Sequence, residues 1–231
     1  MATALITQSN YVPWRGWFAM AHIADVVVFL DDVQYTRRDW RNRNLIRSNS
    51  GPRWITIPVA TSSRYTARIC DIEVADDGWQ RSHLSILDHT YETFDQYHQI
   101  RETIRSIYQQ TIGYTGLSET NHQITQNLFE ILDICVDTYD SREFPTHEDP
   151  TERLVGICLA LGVSHYVTGP AAKDYLVEEK FEDQGLQVSW IDYSTLLPLR
   201  SEIDFGTELS IVDLLSVAGL PEAKLLIRTP T

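Results

Sequence analysis

The sequence predicts an α/β protein, a Rossmann-like and mostly parallel sheet flanked by helices, with a small β-hairpin and a helical insertion. Two observations predict it. Short apolar runs (ALIT, VVVFL, SHYVT and LQVSWI) recur without the in-out alternation of a half-exposed strand, the pattern of strands covered on both faces. Each run also ends in a polar or glycine-bearing loop, and most of these loops lead into a helix or turn.

In order, Ala4–Thr7 reads as the first strand, followed by the loop QSNYVPWRG and the amphipathic helix WFAMAHIADV. VVVFL is the second strand and ends in Asp31 and Asp32. RWITIPV and ICDIEVA read as two antiparallel strands joined by the polar loop ATSSRYTAR. Helices are expected over Trp79–Tyr91, Phe94–Gln110 and Ser118–Ile134, the last with a polar start at Ser118 and Asn121. LDICVDTY is a strand or a helix end. Helix Thr151–Leu161 precedes strand SHYVT, and Gly169-Pro170 opens a helix from Ala171 to Gln184. LQVSWI ends at Asp192–Tyr193, and ELSIVDLLSVAG is a last helix stopped by Gly219 and Pro221. No repeat, low-complexity stretch or linker interrupts this order, so residues 1–231 are expected to form a single domain, with 53–135 as hairpin plus helical insertion or cap.

Composition is that of an ordinary globular chain, 43% hydrophobic and 22% charged. No apolar run approaches the ~20 residues of a membrane helix, and MATALITQSN lacks a signal-peptide pattern and reads as a mature start. Cys70, Cys135 and Cys158 are odd in number, without metal-ligand spacing and set in apolar stretches; they read as buried structural thiols in a reducing, cytoplasmic setting. Net charge is −13, against nucleic-acid binding. Its distribution is uneven. Residues 1–70 hold nine arginines and four acids, net +5, and the remainder carries −18. Either the arginines hold an anionic ligand or an Arg-rich lobe pairs with an acidic one; the two are compatible.

In open α/β sheets, ligands bind beyond the carboxyl ends of the strands. The first such end supplies Gln8, Asn10, Tyr11, Trp14, Arg15 and Gly16. Pro13 suits a first helical turn, Gly16 permits close approach of a ligand or strand, and free N–H groups beside Arg15 suit an anion. A capped helix with Tyr11, Trp14 and Trp17 in the core is the competing reading. The second end supplies Asp31, Asp32 and Gln34, then Arg38, Arg41, Asn42 and Arg43. Paired guanidiniums suit phosphate or carboxylate; a local ion-pair network with Asp31, Asp32 and Asp39 is the alternative. No third ligand accompanies the two aspartates, so no metal site is assigned. The third end supplies Gly169 and Lys173, a cation in a first helical turn that calls for an anionic partner or sits there by accident.

Among seven histidines, His22 and His165 read as core residues, and His83, beside Trp79 and Arg81, is the candidate general base. Gly-x-Ser-x-Gly, His-Glu-x-x-His, Walker and GxGxxG motifs are all missing from the sequence.

ITQSNYVPWRGWF, FLDDVQYTRRDWRNRNLI and WITIPV, followed by ERLVGICLALGVSHYVTGPAAKDYL and LSIVDLL, resemble the WbqC-like protein family in order and over about Leu5 to Gly219. The resemblance implies a transferase-like or ligase-like step on an amino sugar or amino acid, in surface-polysaccharide or specialised-metabolite pathways. STLLPLRSEIDF, at 194–205, departs from the Tyr-Pro-Gln-like element expected there, which points to a different substrate. The first loop is also similar in layout to the His-x-Gly-His loop of adenylyl-transferring enzymes. Trp14 and Trp17 stand where the histidines would, which argues against adenylyl transfer.

The expected function is transfer of an acyl or aminoacyl group onto the amine of an activated, nucleotide-linked amino sugar or related metabolite. Arg15, Arg38, Arg41 and Arg43 would hold an anion; Asp31 or Asp32 would receive the amine and its proton, with His83 in reserve. Gln8, Asn10 and Tyr11 would orient the acceptor, and Gly169 and Lys173 the second substrate. No cofactor is called for, the partner is an anionic small molecule, and a homodimer is left open. The alternatives are a nucleotide-binding ligase or nucleotidyltransferase with Mg²⁺ at Asp31 and Asp32, and a non-catalytic small-molecule-binding protein.

Overall fold

The computed structural model describes residues 2–61, 66–199, 203–204 and 208–228. Its strands are β1 (Thr3–Thr7), β2 (Val26–Phe29), β3 (Arg43–Ile46), β4 (Arg53–Thr56), β5 (Val59–Ala60), β6 (Glu73–Val74), β7 (Asp137–Asp140), β8 (His165–Thr168) and β9 (Gln187–Trp190). The helices are α1 (Arg15–His22), α2 (Trp79–Tyr91), α3 (Asp95–Gln109), α4 (Leu117–Ile131), α5 (Pro150–Leu161), α6 (Glu179–Glu182), α7 (Ile211–Ala218) and α8 (Leu220–Leu226).

Five strands form one parallel sheet in the order β7-β2-β1-β8-β9. This is the expected α/β, Rossmann-like architecture. β1 is central, and the chain winds outward from it in both directions, so the topological switch point lies beside the carboxyl end of β1. The apolar runs explain why both faces are covered. Along β1, Leu5 faces one core, with Trp17 and Phe18 of α1, Leu128 of α4 and Leu215 of α7. Ala4 and Ile6 face the other, with Leu154 and Cys158 of α5 and Phe181 of α6. β2 divides the same way, Val27 and Phe29 against Val28. The periodicity of two thus sorts one apolar strand between two cores.

Four expectations need correction. RWITIPV does not pair along its length with ICDIEVA: β4 pairs antiparallel with β3, and only Val59–Ala60 meets Glu73–Val74. Pro58, which has no N–H to give a ladder, separates the two pairings. Ile69–Asp71 is a 3-10 turn. The helix from Ala171 to Gln184 is broken into a 3-10 turn, Pro170–Asp174, and the short α6. Asp174, Glu178 and Glu182 recur at i, i+4, a like-charge spacing that opposes a continuous helix. Thr151 Oγ1 donates to the Tyr175 carbonyl and accepts from Val177 N–H at the break. Pro221 does not end the last helix; it sits in the first turn of α8, where its missing N–H costs nothing. Finally, the ambiguous LDICVDTY yields the edge strand β7, and Cys135 is exposed; Cys158 alone of the three thiols is buried.

A buried ion pair fastens β3 to α7. Arg47 donates from Nε and Nη2 to Asp213 at 2.9 and 2.8 Å, and Tyr91 of α2 donates to the same carboxylate at 2.6 Å. Arg47 and Asp213 are both buried. Removing one partner strands a buried charge, which costs about 3–5 kcal/mol. Asp213→Ala is therefore expected to lower folding stability by about that amount in urea unfolding; a loss within experimental error of zero would show that the pair is solvated.

Candidate functional site

The loop between β1 and α1 is pinned from several sides. Tyr11 N–H donates to the Trp40 carbonyl at 3.0 Å. Asn44 Nδ2 donates to the carbonyls of Tyr11 and Val12, both at 3.0 Å, and Ile211 N–H to that of Pro13 at 2.8 Å. These bonds hold Val12 at φ +38°, a left-handed backbone that a β-branched residue avoids. Three residues before Val12, Ser9 N–H donates to Asp31 Oδ1 at 2.8 Å.

The adjacent aspartates diverge. Asp31 is fully buried and accepts from Ser9 N–H, Ser118 Oγ (2.5 Å) and His122 Nε2 (3.0 Å). Burial pushes its carboxyl up, but these partners hold it below the usual carboxylate range. Asp32 turns the other way: Oδ1 accepts from Ser141 Oγ at 2.6 Å and Oδ2 from Arg153 Nη2 at 2.8 Å. The Mg²⁺ site expected as an alternative at Asp31 and Asp32 needs both carboxylates on one ion; here they enter separate networks.

Beyond the carboxyl ends of β1, β2 and β8 lies a cleft of about 740 Å³. Of the residues singled out from sequence, it brings together Gln8, Asn10, Trp14, Asp32, Arg41 and Gly169. Arg41 donates from Nη1 to Asn10 Oδ1 and to the Ser9 carbonyl, and its Nη2 lies 3.4 Å from Asp39. Burial lowers its pKa, Asp39 and Asp31 oppose that, and the guanidinium stays charged.

The other expected site residues lie elsewhere. The Tyr11 hydroxyl is buried between His83 Nδ1 (2.7 Å) and Tyr108 (2.6 Å), outside the cleft. His83 Nε2 donates to the Thr56 carbonyl at 3.1 Å, since a carbonyl only accepts; Nδ1 is therefore the acceptor for Tyr11. Both ring nitrogens are occupied inside the protein, which removes His83 as a base on a ligand in this cleft. Arg15 donates to the Leu197 and Leu226 carbonyls on another side of the helix. Gly16 accommodates Trp14, not a ligand: a Cβ would meet the indole at 2.3 Å. Asn42 is buried between Tyr35 and the Ile57 carbonyl. Arg43 stacks on Trp54 at 3.9 Å and donates to the Arg38 carbonyl, while Arg38 itself is exposed at φ +62°. Gln34 is exposed and bridges to Arg68. Lys173 is exposed and lies 5.3 Å from the Trp190 ring.

Sequence reasoning missed Arg153 and Ser141, and it placed Tyr193 at the carboxyl end of a strand without giving it a role. A signal for Arg153 existed: it is a cation in the N-terminal part of α5, unfavourable there without an acid, the argument applied to Lys173. Besides Asp32, it donates to the carbonyls of Ser141, Phe144 and Pro145, so it also shapes the segment that forms the adjacent cleft wall.

The WbqC-like family model matches residues 8–224. The chain belongs to this family. It is 32% identical over 220 residues to a protein of Mycobacterium tuberculosis (strain ATCC 25618 / H37Rv), uncharacterized protein Rv1507c, covering 95% of each chain. No helix among the described residues is long and apolar enough to cross a membrane.

Burial lowers the His83 pKa from 6.5 to about 4, because the imidazolium is excluded from this interior. A depressed folded-state value means that stability is full above pH 6.5 and falls toward pH 4. The loss is up to about 3 kcal/mol. Urea unfolding from pH 7 to 4 is expected to show this decline in wild type and less of it in His83→Gln. Equal declines would place the acid sensitivity on another group.

Proposed function

We propose that this protein transfers an acyl or aminoacyl group onto the amine of a nucleotide-linked amino sugar or a related anionic metabolite. The observation that carries this reading is the juxtaposition of Asp32 and Arg41 in one cleft at the switch point of the sheet. Its volume of about 740 Å³ lies within the range of small-molecule sites. Arg41, steadied by Asn10, holds the anionic group through charge-assisted hydrogen bonds. Asp32 keeps one lone pair on each oxygen after Ser141 and Arg153 are served, enough to accept an N–H of the acceptor amine.

The amine nitrogen attacks the carbonyl carbon of the activated donor directly. A C–N bond forms, the bond to the donor's leaving group breaks, and the proton released from nitrogen passes by way of Asp32 to water. No serine or cysteine lines the cleft among the described residues, which supports direct attack over a covalent intermediate. Free cysteines and the absence of a membrane-spanning helix among the described residues accord with work in the cytoplasm on a soluble small molecule.

The test is transfer from acyl or aminoacyl donors to nucleotide-linked amino sugars, read as product mass, with and without EDTA. Arg41→Gln is expected to lower kcat/KM about 10–100-fold, the worth of a hydrogen bond to a charged group. Asp32→Asn is expected to lose turnover, and EDTA to leave it intact. Ligand binding without product from any amine acceptor would make the chain a binding protein, and EDTA-sensitive nucleotidyl transfer would favour a metal-dependent ligase.

A further inference from the structure

The strand order divides the cleft. β2 and β7 lie on one side of β1, β8 and β9 on the other. The acidic, basic and histidine side chains of the lining, Asp32, Arg41, His147, Glu148 and Arg153, all come from segments that follow β2 or β7. The lining from β8 onward contains Tyr166, Gly169, Ala172, Tyr175 and Tyr193 and no side chain charged at neutral pH. Trp14, from the loop after β1, stands between the halves, its ring 4.9 Å from that of Tyr193. Tyr175 is 54% exposed, a large aromatic surface left open within a ligand cleft. A Cβ at Gly169 would lie 2.9 Å from the Tyr193 hydroxyl, so glycine there is what lets Tyr193 settle over this half.

We infer that the uncharged half is a stacking site for a planar nucleobase, with the diphosphate reaching across β1 toward Arg41. This rests on the proposed nucleotide-linked substrate and assigns it a place and an orientation. Water solvates phosphate better than any aromatic wall, and a nucleobase gains most where aromatic faces are offered; base-on-aromatic stacking is sequence-tolerant and strong. The cleft presents the two environments side by side, so a molecule with one aromatic and one anionic end fits in a single direction. The amino sugar, beyond the diphosphate, then lies toward Asp32.

Calorimetric titration of the intact protein with a nucleoside diphosphate, the parent nucleoside and inorganic pyrophosphate tests this. The diphosphate is expected to bind more tightly than pyrophosphate. Tyr175→Ala, a change at an exposed position, is expected to weaken the nucleoside diphosphate about 10-fold, within the measured worth of a base stack, and to leave pyrophosphate unchanged. Gly169→Ala, which displaces Tyr193, is expected to act in the same direction. Pyrophosphate binding as tightly as the nucleoside diphosphate, or a Tyr175→Ala protein with wild-type affinity for both, overturns the inference. Failure of acyl transfer with the Tyr175 dependence intact would refute the transfer reading alone. Efficient transfer to an amino sugar bearing no nucleotide, with no nucleoside diphosphate binding, would refute the stacking site alone.

Discussion

The cleft depends on one buried carboxylate. Asp31 ends β2, yet its side chain holds the loop after β1 through Ser9 and the start of α4 through Ser118 and His122. A charge with no exposure is tolerable only when its hydrogen bonds are supplied, and here three groups from two separate segments supply them. The same knot places Asn10, next to Ser9, and Asp32, next to Asp31, into the cleft. Asn121, one turn along α4, extends it by donating to Ser9 Oγ at 3.2 Å and to the Arg41 carbonyl at 2.8 Å. The two strand ends and the arginine loop are therefore set relative to each other by polar contacts beneath the cleft floor, and apolar packing fills in around them.

The uneven charge along the chain now has a physical account. Arg47 is spent on Asp213 and Arg41 leans on Asp39 while lining the cleft. Across the boundary of the two lobes, Asp32 takes Arg153 from the acidic remainder. Pairing within the protein and presentation of a cation to the cleft both occur, on different arginines. Arg43 illustrates a third use, stacking on Trp54, where charge spreads over an aromatic face.

The parallel sheet was legible because strands covered on both faces must be apolar throughout, and the four runs have that composition. The switch-point rule then led to Gln8, Asn10, Asp32, Arg41 and Gly169. What remained hidden was direction. Asp31 and Asp32 are chemically identical neighbours, and only the turn after β2, where Asp31 N–H donates to the Phe29 carbonyl at 3.0 Å, decides which meets α4 and which the cleft. Tyr11 and His83 carry the right chemistry, but 72 residues separate them, and their mutual hydrogen bond in the interior has no local signature. Arg153 was overlooked because its acid lies 121 residues away. The break in 171–184 was readable in the spacing of its acids and outweighed by an otherwise helical composition.

The claim that Asp31 holds the cleft together is tested most directly by amide hydrogen exchange on Asp31→Ala. Without the carboxylate, protection is predicted to fall together at Ser9 and in the first turns of α4, while β8 and α5, across the sheet, stay protected. Unchanged exchange at Ser9 in the variant would contradict the account, since that amide's bond to Asp31 is the contact from which the rest of the cleft is built.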